Sequence, residues 1–251
     1  MSPFPVLDPV LAAQVPRGLC ALAVMTKAPR AGQVKTRLVP PLTPKEAAEL
    51  NKCFLRDTAT TISGAATSGQ VRGIAVYTPI GSELAYSDIL PATFSLLPQR
   101  GEGFGERLYF ATGDLFKCGF ESVCLIDSDS PTVSAVSFSR AVVELMKPGD
   151  RVVLGPSEDG GYYLIGLKKL HRELFERIDW STERVLDQTR QRAREIWLEV
   201  KLLPPGYDVD DEASLQRLCN ELLADIAPAD IAPHTQKFLR ELVARQRLNL
   251  L

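Results

Sequence analysis

The order of apolar and polar positions predicts strands alternating with helices along most of the chain. Leu19 to Met25 (LCALAVM) is a short, nearly all-apolar run that ends in a polar loop, the pattern of a central strand buried on both faces. Thr43-Pro44 reads as an N-cap with proline at the first helical position and Glu46 in the first turn, predicting a helix to about Ile62. Val71 to Tyr77 and Thr93 to Leu97 predict strands, and Phe104, Leu108, Ala111 and Leu115 keep helical spacing across Phe104 to Lys117. Ser122 to Ile126 predicts another buried strand that ends abruptly in acidic residues, and Val133 to Met146 a helix stopped by Pro148-Gly149. Arg151 to Leu154 and Tyr162 to Leu167 flank a glycine turn as two strands. A helix at Thr182 to Glu195, a strand at Trp197 to Leu203, and helices at Glu212 to Leu223 and His234 to Arg247 complete the pattern.

The alternation implies an α/β fold with a largely parallel sheet, helices on both faces, and an antiparallel element near Tyr162 to Leu167. Pro3, Pro5, Pro9 and Pro16 mark residues 1–18 as an irregular N-terminal arm; no repeat or linker divides residues 19–251, which are expected to form one domain.

Composition narrows the class without changing the fold. With 29 Lys plus Arg against 31 Asp plus Glu, the net charge is -2 and no long run of one sign appears, so no general nucleic-acid surface is expected. No segment reaches the roughly 20 apolar residues of a membrane span, and the start lacks a secretory pattern. The five cysteines are widely spaced with no CxxC pair, which fits buried thiols in a reduced compartment and a cytoplasmic protein. The state of oligomerisation stays open.

In open sheets of this kind ligands bind beyond the carboxyl ends of the strands, and the distinctive clusters fall there. Residues 26–38 carry Lys27, Arg30, Lys35 and Arg37 with Gly32 and Thr36, a set suited to a diphosphate, although no Walker loop is present. A solvated basic loop is the competing account. Asp127-Ser128-Asp129-Ser130-Pro131 follows the SVCLI strand, where two carboxylates two residues apart can share one hard cation, Mg²⁺ or Mn²⁺. Its plainer reading is an acidic turn in which Ser130 caps the next helix. Glu158-Asp159-Gly160-Gly161 gives backbone freedom near a ligand on which Tyr162 or Tyr163 could stack, or else is an ordinary hairpin turn. Ser181 or Thr182 reads as a helix cap with Trp180 on the core, and Tyr207 to Asp211 supplies carboxylates that reach the metal, steady the basic loop, or start a helix. His171 and His234 fall on predicted helices among charged residues, as surface positions with no triad partners.

Taken in order, KAPRAGQVKTRL, GEGFGERL (Gly101 to Leu108), DSDSP, GPSEDGGYYLIGL, IDWST and YDVDDEASL resemble the bacterial glycosyltransferase-like DUF2064 family over about residues 20 to 220. The resemblance implies a GT-A-type nucleotide-diphospho-sugar transferase fold, a three-layer α/β/α sandwich. It implies that the basic loop contacts nucleotide phosphates, that Asp129 is the metal-binding acid, and that Asp159, Gly160 and Gly161 lie beside the sugar or acceptor. The family commonly has Gly at the position of Asp127, so that residue rests on geometry alone.

The expected protein is therefore a metal-dependent glycosyltransferase working on a nucleotide-sugar and a small-molecule acceptor. Asp159 or Glu158 would activate the acceptor, Lys27, Arg30, Gly32, Lys35, Thr36 and Arg37 would bind the nucleotide, and Gly160, Gly161, Tyr162, Trp180 and Ser181 the substrate. Asp129, Asp127 and Asp208 would bind Mg²⁺ or Mn²⁺. A nucleotidyltransferase joining an NTP to an acceptor is the second expectation, and a non-catalytic nucleotide-binding module the third.

Overall fold

The computed structural model describes residues 3–11, 14–66, 69–224 and 230–245. Seven strands, β1 (Cys20–Lys27), β2 (Val71–Thr78), β3 (Ser95–Pro98), β4 (Ser122–Ile126), β5 (Arg151–Pro156), β6 (Tyr162–Leu167) and β7 (Glu199–Leu202), form one sheet in the order β3-β2-β1-β4-β6-β5-β7. All neighbouring pairs are parallel except those made by β6, which runs against both β4 and β5. The predicted mixed, mostly parallel α/β sandwich is what the chain forms.

Alternate residues of each central strand serve opposite faces. Leu22 and Val24 of β1 join Leu55, Ile62 and Phe138 under α1 (Pro44–Ala65) and α3 (Ala135–Met146). Ala21 and Ala23 join Leu108, Leu115 and Ala193 under α2 (Phe104–Lys117) and α4 (Val185–Glu195). A third cluster packs Leu50 and Phe54 of α1 against Leu218 of α5 (Glu212–Leu222) and Leu239 of α6 (Pro233–Ala244). That cluster fixes the ends of α1, α5 and the basic loop on one side of the sheet edge.

The start of α1 is read correctly from sequence: Thr43 accepts from the Glu46 amide while the Glu46 carboxylate accepts from the Thr43 amide, a reciprocal capping box. Other boundaries move. The third helix starts at Ala135 rather than Val133, and Ser130 caps nothing, because its hydroxyl donates to Asp127. The fourth starts at Val185, and neither Ser181 nor Thr182 caps it; the Thr182 hydroxyl donates to the Asp179 carbonyl. Trp197 stands outside β7 with positive φ and is 95% exposed. His171 precedes a short 3-10 turn, half-buried, with Nε2 3.0 Å from Asp150 Oδ2. The last two residues expected in the final helix, 246 and 247, lie outside the described residues.

The arm is partly pinned. The Leu7 amide donates to the Leu96 carbonyl and the Leu96 amide to the Pro5 carbonyl, which lays the arm along β3, and Phe4 and Leu7 bury their side chains. All five cysteines are buried and free.

Asp57, buried on α1, holds α6 in place. Its carboxylate accepts from the His234 and Thr235 amides and from the Thr235 hydroxyl, satisfying the first turn of α6, which no side chain of its own caps. Asp57→Ala leaves those amides unpaired and is expected to cost about 2–3 kcal/mol in urea unfolding, since hydrogen bonds to charged groups are the strong ones. An unchanged midpoint would contradict this account of how α6 docks.

Candidate functional site

Four chain segments meet at the carboxyl edge of the sheet: the loop after β1, the turn after β4, the β5–β6 hairpin and the loop after β7. Backbone hydrogen bonds set their spacing. The Asp127 amide donates to Tyr163, the Val209 amide to Asp129, the Glu158 amide to Gly206, and Ser157 forms an isolated bridge with Gly206. These bonds carry Asp127, Asp129, Asp159, Asp208 and Asp210 onto the wall of one cavity of about 450 Å³.

Serines orient three of these acids. Ser130 donates to Asp127 Oδ2 at 2.7 Å, Ser128 to Asp129 Oδ1 at 3.1 Å, and Ser157 to Asp208 Oδ1 at 3.2 Å. Each carboxylate is thus held through one oxygen. Burial pushes the Asp127 carboxyl well above the usual carboxylate range, and the neighbouring Asp129 adds to the rise. Burial, followed by Asp159 and Asp210, likewise raises Asp208. The site therefore has more negative charge than its own cations compensate.

Lys35 does not project as a free phosphate ligand. Its side chain is only 4% exposed, and its ammonium lies 2.8 Å from Asp129 Oδ1, 3.0 Å from Asp210 Oδ1 and 2.7 Å from the Val209 carbonyl. Burial lowers its pKa, but Asp129 and Asp210 outweigh that and leave it raised, so the ammonium stays charged. Arg37 pairs with the other oxygen of Asp210. Asp210 steadies the basic loop, one of the roles open to the 207–211 cluster, yet it was absent from the expected ligand set.

Lys27, Lys35, Thr36 and Arg37 line a second, polar cavity of about 220 Å³, which shares Arg37, Ser128, Asp129 and Asp210 with the larger one. Arg30 and Gly32 line neither. Asp159, Gly161, Tyr162, Trp180 and Ser181 line the larger cavity. Two residues of the hairpin also stand apart from the cavities. Glu158 turns outward and makes a bidentate pair with Arg217 at 2.6 and 2.9 Å, the guanidinium also stacking on Tyr207. Gly160 lines neither cavity and does a packing job instead: at φ +88°, a Cβ there would sit 2.1 Å from the Glu183 carbonyl oxygen. Sequence gave no sign that these two hairpin residues face away from the Asp159 side.

Comparison with known proteins follows the geometry. Residues 61–182 match the family model described as "Uncharacterized protein conserved in bacteria (DUF2064)". This bears out the resemblance carried by the motifs. The chain is similar to the crystal structure of a provisionally named nucleotide-diphospho-sugar transferase from Desulfovibrio desulfuricans, at 28% identity and TM-score 0.79, covering 92% of this chain and 99% of that one. A 4-diphosphocytidyl-2C-methyl-D-erythritol synthase from Anaerococcus prevotii shares the fold at 14% identity and TM-score 0.53, covering 82% and 99%. A CMP:2-keto-3-deoxy-manno-octonic acid synthetase solved with CTP does so at 10% identity and TM-score 0.51, covering 80% and 96%. No curated protein matches the sequence. No helix among the described residues is long and apolar enough to cross a membrane.

Gly160 supports the position of Trp180, because the Leu186 amide also donates to the Gly160 carbonyl and holds the 178–186 segment to the hairpin. Gly160→Ala is expected to cost at least about 2 kcal/mol through the forbidden φ and the displaced Glu183 backbone. In a Trp197→Phe background, emission from half-buried Trp180 should shift to the red as its segment lifts. Unchanged emission and stability would refute the clamp.

Proposed function

We propose that this protein transfers a sugar from a nucleotide-diphospho-sugar to the hydroxyl of a small acceptor. The observation that carries the reading is the pair of adjoining cavities, one polar and bordered by Lys27, Thr36 and Arg37, the other bordered by five aspartates, with Asp129 and Arg37 common to both. The name of the Desulfovibrio desulfuricans relative points the same way.

The donor chemistry calls for a divalent cation, and the residues fit one. Asp127, Asp129 and Asp208 offer hard oxygen donors, each with one oxygen positioned by serine, and the excess of acid leaves room for positive charge. Among the described residues no three acidic, histidine or cysteine side chains form a cage, so one or two of these carboxylates would share the cation with water and substrate phosphates. Bound there, Mg²⁺ or Mn²⁺ would neutralise the charge that develops on the departing diphosphate.

The chain's own groups supply the rest. Lys27 and Arg37 hold phosphate oxygens, Arg37 as a fork and Lys27 as a point charge. Lys35 fixes Asp129 rather than meeting the donor. Asp159, anchored through Oδ1 by the Gly161 amide at 2.8 Å, takes the proton of the acceptor hydroxyl as its oxygen bonds the anomeric carbon and the bond to the diphosphate breaks.

A thermal-shift panel of UDP-, GDP-, CDP- and dTDP-sugars and free NTPs, with and without Mn²⁺, tests the reading. One donor at about 100 Kd should stabilise the protein by roughly 2.7 kcal/mol, only with the metal, and Asp129→Ala should abolish the effect. A shift that persists in Asp129→Ala would remove that residue from the site. Because cytidylyltransferases share the fold, pyrophosphate release from an NTP, with no nucleoside diphosphate released from any sugar donor, would establish the nucleotidyl reaction instead.

A further inference from the structure

The larger cavity has two unlike halves. Its acidic lining consists of Asp127, Asp129, Asp159, Asp208, Asp210 and Glu183, and Arg37 is the one cation among the lining residues. The other half is apolar, made by Met25, Phe104, Leu108, Tyr162, Ile165 and Trp180. Phe104 and Trp180 meet edge to face with centroids 5.3 Å apart at 69°, and Trp180 meets Tyr162 at 6.5 Å and 83°.

The backbone is shaped around this aromatic wall. A Cβ on Gly105 would lie 2.4 Å from Trp180 Nε1, so only glycine lets the indole seat on α2. Ser181, directly after it, holds φ +63°, and Gly160 clamps the segment from behind. Non-glycine residues at positive φ are uncommon and cluster at functional sites. Phe104 remains 51% exposed at the edge of this wall, a position that neither the core nor the donor chemistry requires.

We propose that this half is the acceptor subsite and that the acceptor is an uncharged hydroxyl compound with a flat apolar ring. The inference rests on the transfer reading, because it places the acceptor hydroxyl on the Asp159 side with its ring on Phe104 and Trp180. An aromatic wall binds a ring face through dispersion and quadrupole contacts. The aspartates repel anions at short range, so a carboxylate or phosphate on the acceptor is rejected. A cavity of this size suits a small molecule rather than a polymer chain.

Two probes with the same phenol ring and similar size, one neutral and one anionic, test this on the full chain. Saturation-transfer NMR with 4-hydroxybenzyl alcohol should show ring-proton saturation, while 4-hydroxybenzoate should bind about tenfold more weakly. Phe104→Ala, at an exposed position, should weaken the alcohol about fivefold and keep the thermal shift given by nucleotide-sugar with Mn²⁺. Equal binding of acid and alcohol, or an unchanged affinity in Phe104→Ala, would overturn the inference. A retained donor shift with no alcohol binding would overturn it alone, whereas alcohol binding with no donor shift would overturn the transferase reading and leave the ring site standing.

Discussion

The site depends on one buried ammonium. Lys35 comes from the loop after β1, Asp129 from the turn after β4, and Val209 and Asp210 from the loop after β7, and a single Nζ lies within 3.0 Å of an oxygen from each of these three residues. A charge removed from water is tolerated only when paired and hydrogen-bonded, and here two carboxylates and a carbonyl meet that need. Lys35 itself sits at φ 49°, a left-handed conformation that aims its side chain inward. Phe54 lies beneath the ammonium, its ring centroid 5.3 Å from Nζ, and belongs to the cluster that joins α1, α5 and α6. The third core therefore supports the site directly.

From that knot the other arrangements follow. With Asp129 committed through Oδ1 to Lys35 and Ser128, and Asp127 and Asp208 each held by a serine, the carboxylates are oriented before any ligand arrives. Preorganised groups cost little at the moment of reaction. The reversal of β6 matters equally, because an antiparallel strand between β4 and β5 brings a hairpin to the edge where parallel strands end. That is how Asp159, Gly161 and Tyr162 come to line the same cavity as the acids of the turn after β4.

Much of this was legible in the sequence because period and punctuation are local. Phe104–Lys117 and Ser122–Ile126 form at their predicted bounds, and the Thr43 capping box announces α1. The clusters at strand ends were legible as well, since a run such as SVCLI followed by DSD has a strong change of polarity at one point. What could not be read was direction. Glu158 and Asp159 are adjacent, yet the hairpin sends one to Arg217, 59 residues away, and the other to the cavity. Lys35 looked like its neighbours in a basic loop, and only the three-dimensional approach of Asp210 reveals it as a structural cation. Phe104 read as a core position of α2 by its spacing, but the helix begins there and leaves the ring at the cavity edge.

The central claim is that the cation and the donor diphosphate meet at Asp129, between the two cavities. Anomalous diffraction from crystals soaked with Mn²⁺ and the nucleoside diphosphate selected by thermal shift tests it most directly. The account predicts a manganese peak within direct coordination distance of an Asp129 carboxylate oxygen, with diphosphate density against Lys27 and Arg37. A diphosphate bound elsewhere, or a manganese peak with no contact to Asp129, would contradict it.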